Sequence, residues 1–279
     1  MQPIGPGDPT APGLPIPPTQ VIPQPLTPAE DPERSRLGFV RDPLSMILVL
    51  VIVVSLVVAG LLGGELYARH RADTVVASAV ECIVQDKTDV SFGMRPLLYQ
   101  LVTSEFSSIS VETAGNQIRA AKGMKLDLQM EDIRLHKTAD SEGTMGALDA
   151  VISWSTDGIK ETVQDAIPFL GSLVSKVTTN PSDGTIELEG SLGSVIAKPQ
   201  VTNGGLELQV LKLSGLGLTL PKETVQPALD TFTGTLTRNL PMGIHADSVQ
   251  ITDAGVTAKF ITRNATIPTG QQDPCFSGV

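Results

Sequence analysis

Histidines, serines and glycine-rich strings are the features of this chain that could support acid–base, metal-dependent or nucleophilic chemistry. The three histidines, His70, His136 and His245, are far apart, and none has a second histidine or a cysteine at a helical metal-ligand spacing. The string GSLGS at 190–194 lacks the order of the nucleophile elbow G-x-S-x-G, and the chain has no phosphate-binding G-x-x-x-x-G-K-S/T. The sequence therefore predicts a protein that is not an enzyme, with no metal site and no cofactor.

The two cysteines, Cys82 and Cys275, are candidates for a disulfide bond. Both follow a long apolar segment, and one lies near each end of the remaining chain. In an oxidising compartment their pairing would close a loop of about 190 residues, which would stabilise the folded domain by up to about 5 kcal/mol because it restricts the unfolded chain. The alternative is a pair of free thiols.

The charge balance limits the partners of the protein. Among 279 residues, 20 Lys and Arg stand against 30 Asp and Glu, which gives a formal net charge of -10. Binding to nucleic acid requires a basic face that displaces counterions from phosphates, and electrostatic adhesion to anionic lipids requires a polybasic patch. The composition argues against both.

Residues 1–43 have the composition of a disordered tail. They hold 12 of the 21 prolines, and six of these, from Pro3 to Pro18, follow at every third position. A polyproline II helix has three residues per turn, so this spacing places the six prolines along one edge. Two interpretations stay open: a ligand for an aromatic-lined groove of a cytoplasmic partner, or a stiff solvated spacer.

Residues 44–64 form a run of 21 residues without a charge, which predicts one transmembrane helix. A signal peptide would have a shorter apolar core, closer to Met1. Three arginines (Arg34, Arg36 and Arg41) precede the run, and two (Arg69 and Arg71) follow it. This asymmetry favours a cytoplasmic amino terminus, with residues 65–279 as an extracytoplasmic domain of a single-pass membrane protein.

The pattern after the span alternates between strands and short amphipathic helices. In KLDLQME and LELQV every second residue is apolar, and the apolar phase slips by one at Asp132 and again at Leu211. A one-residue slip is typical of a β-bulge, which increases the local twist. The predicted fold is α+β, with a long twisted antiparallel sheet and amphipathic helices on one side.

The alternating strands carry many aliphatic side chains but few aromatic ones. Such side chains can fill a close-packed core or can line an apolar groove for acyl chains, and the pattern alone leaves both open. The candidate lining from the strands and one helix is Leu126, Leu128, Met130, Leu206, Leu208, Val210, Leu216, Leu218, Leu220, Val225, Leu229 and Phe232.

The order of these segments resembles the LmeA-like family of phospholipid-binding envelope proteins of actinobacteria. The resemblance rests on the helix ADTVVASAVECIV, the segment FGMRPLLYQLVTSEFSSISVE, the strand KLDLQMEDIRL and the closing SVQITDAGVTAKF, and it covers roughly residues 72–268. It implies a curved sheet wrapped on helices, similar to the tubular lipid-binding fold, with an apolar channel. No catalytic motif of the family is carried over to this chain.

The resemblance favours a lipid-lined cavity over a plain core. The predicted function is a membrane-anchored envelope protein that binds phospholipid or a related acyl lipid and supports the biogenesis of envelope glycolipids or lipoglycans. The proline-rich tail is not required by the family pattern. The alternative is therefore a non-enzymatic scaffold whose tail docks a cytoplasmic partner.

Overall fold

The computed structural model describes residues 43–166, 174–191, 193–215, 218–219, 221–224, 226–227, 230, 240–269 and 275. The proline-rich tail therefore lies outside the described residues, apart from Pro43. Among the described residues, those up to Ser55 and those from Leu56 onward form two separate units.

The elements follow one another in the order of an α+β fold. They are α1 (Pro43–Val84), β1 (Thr88–Phe92), α2 (Leu97–Thr103), β2 (Glu105–Thr113), β3 (Gln117–Ile118), β4 (Ala121–Lys122), β5 (Met124–Arg134), β6 (Ser141–Ser155), α3 (Thr156–Ala166), β7 (Val174–Asn180), β8 (Thr185–Gly190), β9 (Gly193–Thr202), β10 (Gly205–Gly215), β11 (Leu218–Thr219), β12 (His245–Thr252) and β13 (Gly255–Pro268). Short 3-10 turns lie at Lys222–Thr224 and Pro241–Gly243.

Helix α1 contains the predicted span and its amphipathic continuation in one element of 42 residues. It is long and apolar enough to cross a membrane, and the side chains of its apolar run are exposed to the surroundings. Further along, Ala68 and Ala72 pack on the core, and Ala79 and Val84 are buried. The second half of α1 therefore belongs to the folded domain.

The strands form two principal antiparallel sheets, whereas the sequence predicted one long sheet. The first has the order β1-β2-β5-β6-β13-β12, and the second has the order β11-β10-β9-β8-β7; β3 and β4 form a small hairpin of their own. The closing hairpin β12-β13 returns to pair with β6, so the strands between them must form a separate sheet. Alternation along a strand reveals its faces but not its partners, which explains the difference.

The phase slip at Leu211 is a β-bulge, as predicted. Val210 pairs with Ala197 and Lys212 pairs with Ile196, so Leu211 is the extra residue. At Asp132 the cause is different, because the register with β2 is the same before and after this residue. Asp132 instead has a φ of 52°, opposite Gly146, where an added Cβ would lie 2.9 Å from the Asp132 Cβ. This left-handed residue turns Ile133 into the core.

The junction between α1 and β1 is held by the buried carboxylate of Asp86. Its oxygens accept hydrogen bonds from the Asn116 backbone N–H at 2.8 Å, the Asn116 side-chain amide at 2.9 Å and the Lys87 N–H at 2.9 Å. Burial raises the pKa of Asp86, but these bonds together outweigh it, so the pKa lies below the usual aspartate value of 3.8. Asp86 thus ties the end of α1 to the loop after β2.

We expect Asp86→Asn to lower the free energy of unfolding by about 1–3 kcal/mol at neutral pH, because an amide donor replaces an acceptor that faces N–H groups. A group with a lowered pKa stabilises the fold above its unfolded pKa, and the effect is lost as the pH falls through the folded value. Urea unfolding of the detergent-solubilised chain at pH 7 and pH 3 should therefore show a smaller difference between variant and wild type at pH 3. The exposed Asp89→Asn is the matched control, and an equal effect of both variants would contradict this role.

Candidate functional site

Three of the predicted lining residues lie on the apolar face of the first sheet. Across the β5–β6 ladder, Leu126 pairs with Ile152, Leu128 with Ala150, and Met130 with Leu148. Directly opposed residues point to the same side of a sheet, so these six side chains share one face. We call this surface the inner face of the first sheet. Leu126, Leu128 and Met130 are half-buried and pack against the main hydrophobic cluster.

The inner face of the first sheet extends over all six strands. Val90 on β1 opposes Val111 on β2, and Ala258 and Phe260 on β13 oppose residues of β6. The opposite face is polar: Asp149 accepts ion pairs from Lys259 and Arg263, both at 2.9 Å. Hydrogen bonds from Arg263 and Lys259 lower the pKa of Asp149. The sheet is thus amphipathic throughout, with one apolar and one charged side.

Three more predicted lining residues lie on the apolar face of the second sheet. Leu206, Leu208 and Val210 pair with Val201, Pro199 and Ala197 on β9. We call this surface the inner face of the second sheet. Val210 is fully buried, at 0% exposure, whereas Leu206 and Leu208 are half-buried.

The two inner faces meet in one cluster. Leu206 and Val201 of the second sheet pack against the same hydrophobic cluster as Leu126, Leu128 and Met130 of the first. The buried members of this cluster include Leu148 and Phe260. The fold therefore brings together apolar residues that are about 80 positions apart in the sequence, as an apolar site between two sheets requires.

The other predicted lining residues are not brought into this cluster by the described part of the chain. Leu208 and Val210 lie on the inner face of the second sheet but are not members of the cluster. Leu218 on β11 is 68% exposed. Leu216, Leu220, Val225, Leu229 and Phe232 lie outside the described residues.

Gln226 positions the segment after β11, a role that the sequence analysis missed. Its side-chain amide donates to the Leu208 carbonyl at 3.0 Å, and its Oε1 accepts from the Val210 N–H at 2.8 Å. The same amide also donates to Asp230 at 2.7 Å. Gln226 therefore bonds to β10 as a neighbouring strand would, and it holds this segment beside two of the apolar residues. A lone glutamine between prolines carries no sequence signal for this contact.

Two open cavities lie near the second sheet, and most of the residues that line them are polar. One, of about 390 Å³, lies over Thr178, Glu187 and Lys212 on the side away from the inner face. The other, of about 250 Å³, lies beside Gln226 and includes Glu207 and Lys222. Neither contains Leu126, Leu128 or Met130. These cavities are thus distinct from the apolar cluster.

The structure shows no converging set of reactive side chains among the residues it describes. His70, His136 and His245 are all exposed, and the His245 ring is hydrogen-bonded to the Gly243 carbonyl of its own turn, at 2.9 Å. No group of three or more His, Cys, Asp or Glu side chains within the described ranges could hold a metal ion.

The predicted disulfide bond is present. Cys82 near the end of α1 is joined to Cys275, with the two Cα atoms 5.7 Å apart. The bond ties the last described residue of the chain to the helix that contains the apolar run.

The comparisons with known proteins agree with this architecture. The sequence model described as LmeA-like phospholipid-binding matches residues 59–261, beginning earlier than the resemblance noted above and ending slightly before it. Uncharacterized proteins of two strains of Mycobacterium tuberculosis and of Mycobacterium bovis are each 59% identical over 241 residues, which cover 86% of this chain and 69% of the relative. No solved structure gives a significant match. The matched range includes the second half of α1 and nearly all of both sheets, and the chain belongs to the LmeA-like phospholipid-binding family.

Proposed function

We propose that this protein is a membrane-anchored envelope protein that binds a phospholipid or a related acyl lipid between the inner faces of its two sheets. The observation that carries the proposal is that Leu126, Leu128 and Met130 of the first sheet and Leu206 of the second pack against the same apolar cluster. The family supports lipid as the class of ligand. We further propose that the bound lipid serves the biogenesis of envelope glycolipids or lipoglycans.

The binding energy in this proposal comes from removing acyl chains from water. Each buried CH₂ group contributes about 0.8 kcal/mol, so a long acyl chain needs no specific polar contact. Half-buried leucine and methionine side chains suit this role, because methionine in particular adapts to irregular shapes. No catalytic step is part of the proposal.

The proposed location follows from α1 and the disulfide bond. The uncharged run at 44–64 would cross the membrane once, with residues 1–43 as a cytoplasmic tail and residues 65–279 as the extracytoplasmic lipid-binding domain. Three arginines flank the run closely on its amino side, against two on its carboxyl side. Disulfide bonds persist in oxidising compartments, which supports the placement of Cys82 and Cys275 outside the cytoplasm.

The direct test is native mass spectrometry of the full chain, purified in a mild detergent from a membrane that contains its natural lipids. We expect one bound phospholipid or glycolipid per protein that survives extensive delipidation. A mass of the protein alone, also after incubation with envelope lipids, would contradict lipid binding and leave the inner faces as plain core.

The proline spacing favours a second role, in which the tail docks a cytoplasmic partner. Every third residue from Pro3 to Pro18 is proline, as in ligands of aromatic-lined grooves. Deletion of residues 1–42 separates the two roles: a scaffold would lose its cellular activity, whereas a lipid binder would keep its bound lipid.

A further inference from the structure

Helix α2 exposes apolar side chains where a helix of a soluble domain would expose polar ones. Its residues Leu97 and Gln100 are fully buried. Leu98 lies one turn before Leu101 and Val102 on the other side of the helix, and all three are exposed. Val102 is 87% exposed, and Met94 in the turn before the helix is 100% exposed. We call Met94, Leu98, Leu101 and Val102 the α2 patch.

The α2 patch lies at the end of the apolar run of α1. A Cβ atom added to Gly64, the last residue of the uncharged run, would lie 3.7 Å from Cδ1 of Leu98. The next residue, Glu65, accepts hydrogen bonds from the backbone N–H groups of Leu97 and Leu98 at the start of α2. The contact therefore falls at the level on α1 where the proposed membrane span ends.

An ion pair between Arg69 and Glu65, with the hydrogen bonds that both side chains make, holds α2 at this level of α1. The guanidinium of Arg69 donates to Glu65 at 2.8 Å and to the carbonyls of Phe92, Gly93 and Arg95 around the turn before α2. The N–H groups of Leu97 and Leu98 are the main cause of a lowered pKa of Glu65, so its carboxylate is ionised at neutral pH. The position of α2 beside α1 is thus fixed by several bonds on its inner side, while its outer side exposes mostly apolar side chains.

The two tyrosines of the chain lie on the same two helices. Tyr67 follows Glu65 on α1 and Tyr99 lies on α2, and both are largely exposed. Tyrosine is enriched at the boundary between a membrane and water, where its ring is in an apolar layer and its hydroxyl is in contact with water. We infer that the α2 patch inserts into the lipid leaflet next to the domain, so that α2 is a second membrane contact beside the span.

This inference rests on the proposed membrane anchoring and adds a consequence for lipid binding. Leu97, on the inner side of α2, belongs to the cluster against which Leu128 and Met130 pack. A helix with one side in the bilayer and the other in this cluster would place the lipid-binding region directly at the membrane surface. Lipid would then move between bilayer and protein without crossing water.

Quenching by brominated lipids tests the inference in the full chain. Val102→Trp and the control Leu211→Trp, an exposed aliphatic residue on the second sheet, are reconstituted into phosphatidylcholine–phosphatidylglycerol vesicles with or without dibrominated acyl chains. The native Trp154 gives the same background in both variants. We expect Val102→Trp to lose roughly half of its added emission in brominated vesicles, because the patch would lie at the headgroup boundary. Leu211→Trp should lose none.

The outcomes separate the inference from the anchoring on which it rests. If the chain stays with the vesicles after alkaline extraction but Val102→Trp is not quenched, the anchor stands and the inference is wrong. If the added Trp of Val102→Trp is shielded from water but its emission depends on the amount of protein per vesicle, the patch packs on a second copy of the chain. That result also overturns the inference. Release of the chain by alkali would overturn both. Met94→Trp repeats the measurement at the most exposed position of the patch.

Discussion

Replacement of Leu128 by glutamate is expected to reduce the amount of bound lipid at least about tenfold, because only 1.4 kcal/mol of lost binding energy is needed for that factor. Leu128 lies in the middle of β5, between Val111 on β2 and Ala150 on β6. A carboxylate there would have to lose its hydration shell when an acyl chain covers it, and this costs well over 1.4 kcal/mol. Lipid per protein is counted by native mass spectrometry.

The neighbouring residue provides the matched control. Gln129 lies on the same strand, points to the opposite face and is exposed. Gln129→Glu introduces the same charge at the next position, and it should leave the lipid content unchanged. Folding of each variant is checked by its thermal unfolding in detergent.

A second substitution covers the case in which Leu128→Glu fails to fold. Leu128→Trp keeps the position apolar but fills space between the sheets, so it should lower lipid content while the domain stays folded. A folded Leu128→Glu protein with the lipid content of the wild type would show that lipid does not bind between the inner faces. The proposed site would then have to be abandoned, although the family assignment would stand.

The faces of the strands were predictable because successive side chains of a strand point to opposite faces of the sheet. In β5 and β10 every second residue is apolar, and the structure places Leu126, Leu128 and Met130 on one face and Leu206, Leu208 and Val210 on another. The bulge at Leu211 was also visible, since an extra residue changes the phase. At Asp132 the phase change was visible but its cause was not, because a left-handed residue and an inserted residue produce the same pattern.

The pairing of strands and the contacts between distant segments could not be read in this way. Nothing in the local pattern of β13 shows that it pairs with β6 more than 100 residues earlier, and this pairing divides the strands into two sheets. The contacts of Gln226 with β10 and of Glu65 with α2 depend on single polar side chains. Such contacts have no periodicity, so only the folded chain reveals them.

The family resemblance supplied what the pattern left open, namely lipid as the ligand class. Aliphatic alternation is the same in a plain core and in a lipid-lined site. Val210 is fully buried, whereas Leu126, Leu128 and Met130 are half-buried and pack against the main hydrophobic cluster. Under the proposed function, an acyl chain would cover the parts of these three side chains that the protein leaves exposed.

Removal of the disulfide bond is expected to lower the free energy of unfolding of the domain that follows the apolar run by about 2–5 kcal/mol. The bond between Cys82 and Cys275 has a sequence separation of 193 residues, and closure of so long a loop strongly restricts the unfolded chain. The double variant Cys82→Ser and Cys275→Ser is compared with the wild type by urea unfolding of the full chain in detergent. Trp154 emission reports on the domain, since Trp154 packs against the cluster of Ile159, Val177 and Ile186 and its Nε1 donates to the Lys122 carbonyl.

The wild type in reductant is the matched control, and it should unfold at the same urea concentration as the double variant. Equal stability of all three samples would contradict the stabilising role of the bond.

The same thiols also test the proposed orientation, because alkylation of the protein in intact cells before lysis shows whether they are oxidised there. If both cysteines escape alkylation because they are joined in a disulfide bond, the result agrees with a domain in an oxidising compartment. Two thiols that react would indicate the reducing side of the membrane. In that case the proposed lipid site would face the cytoplasm and would exchange lipid with the cytoplasmic leaflet.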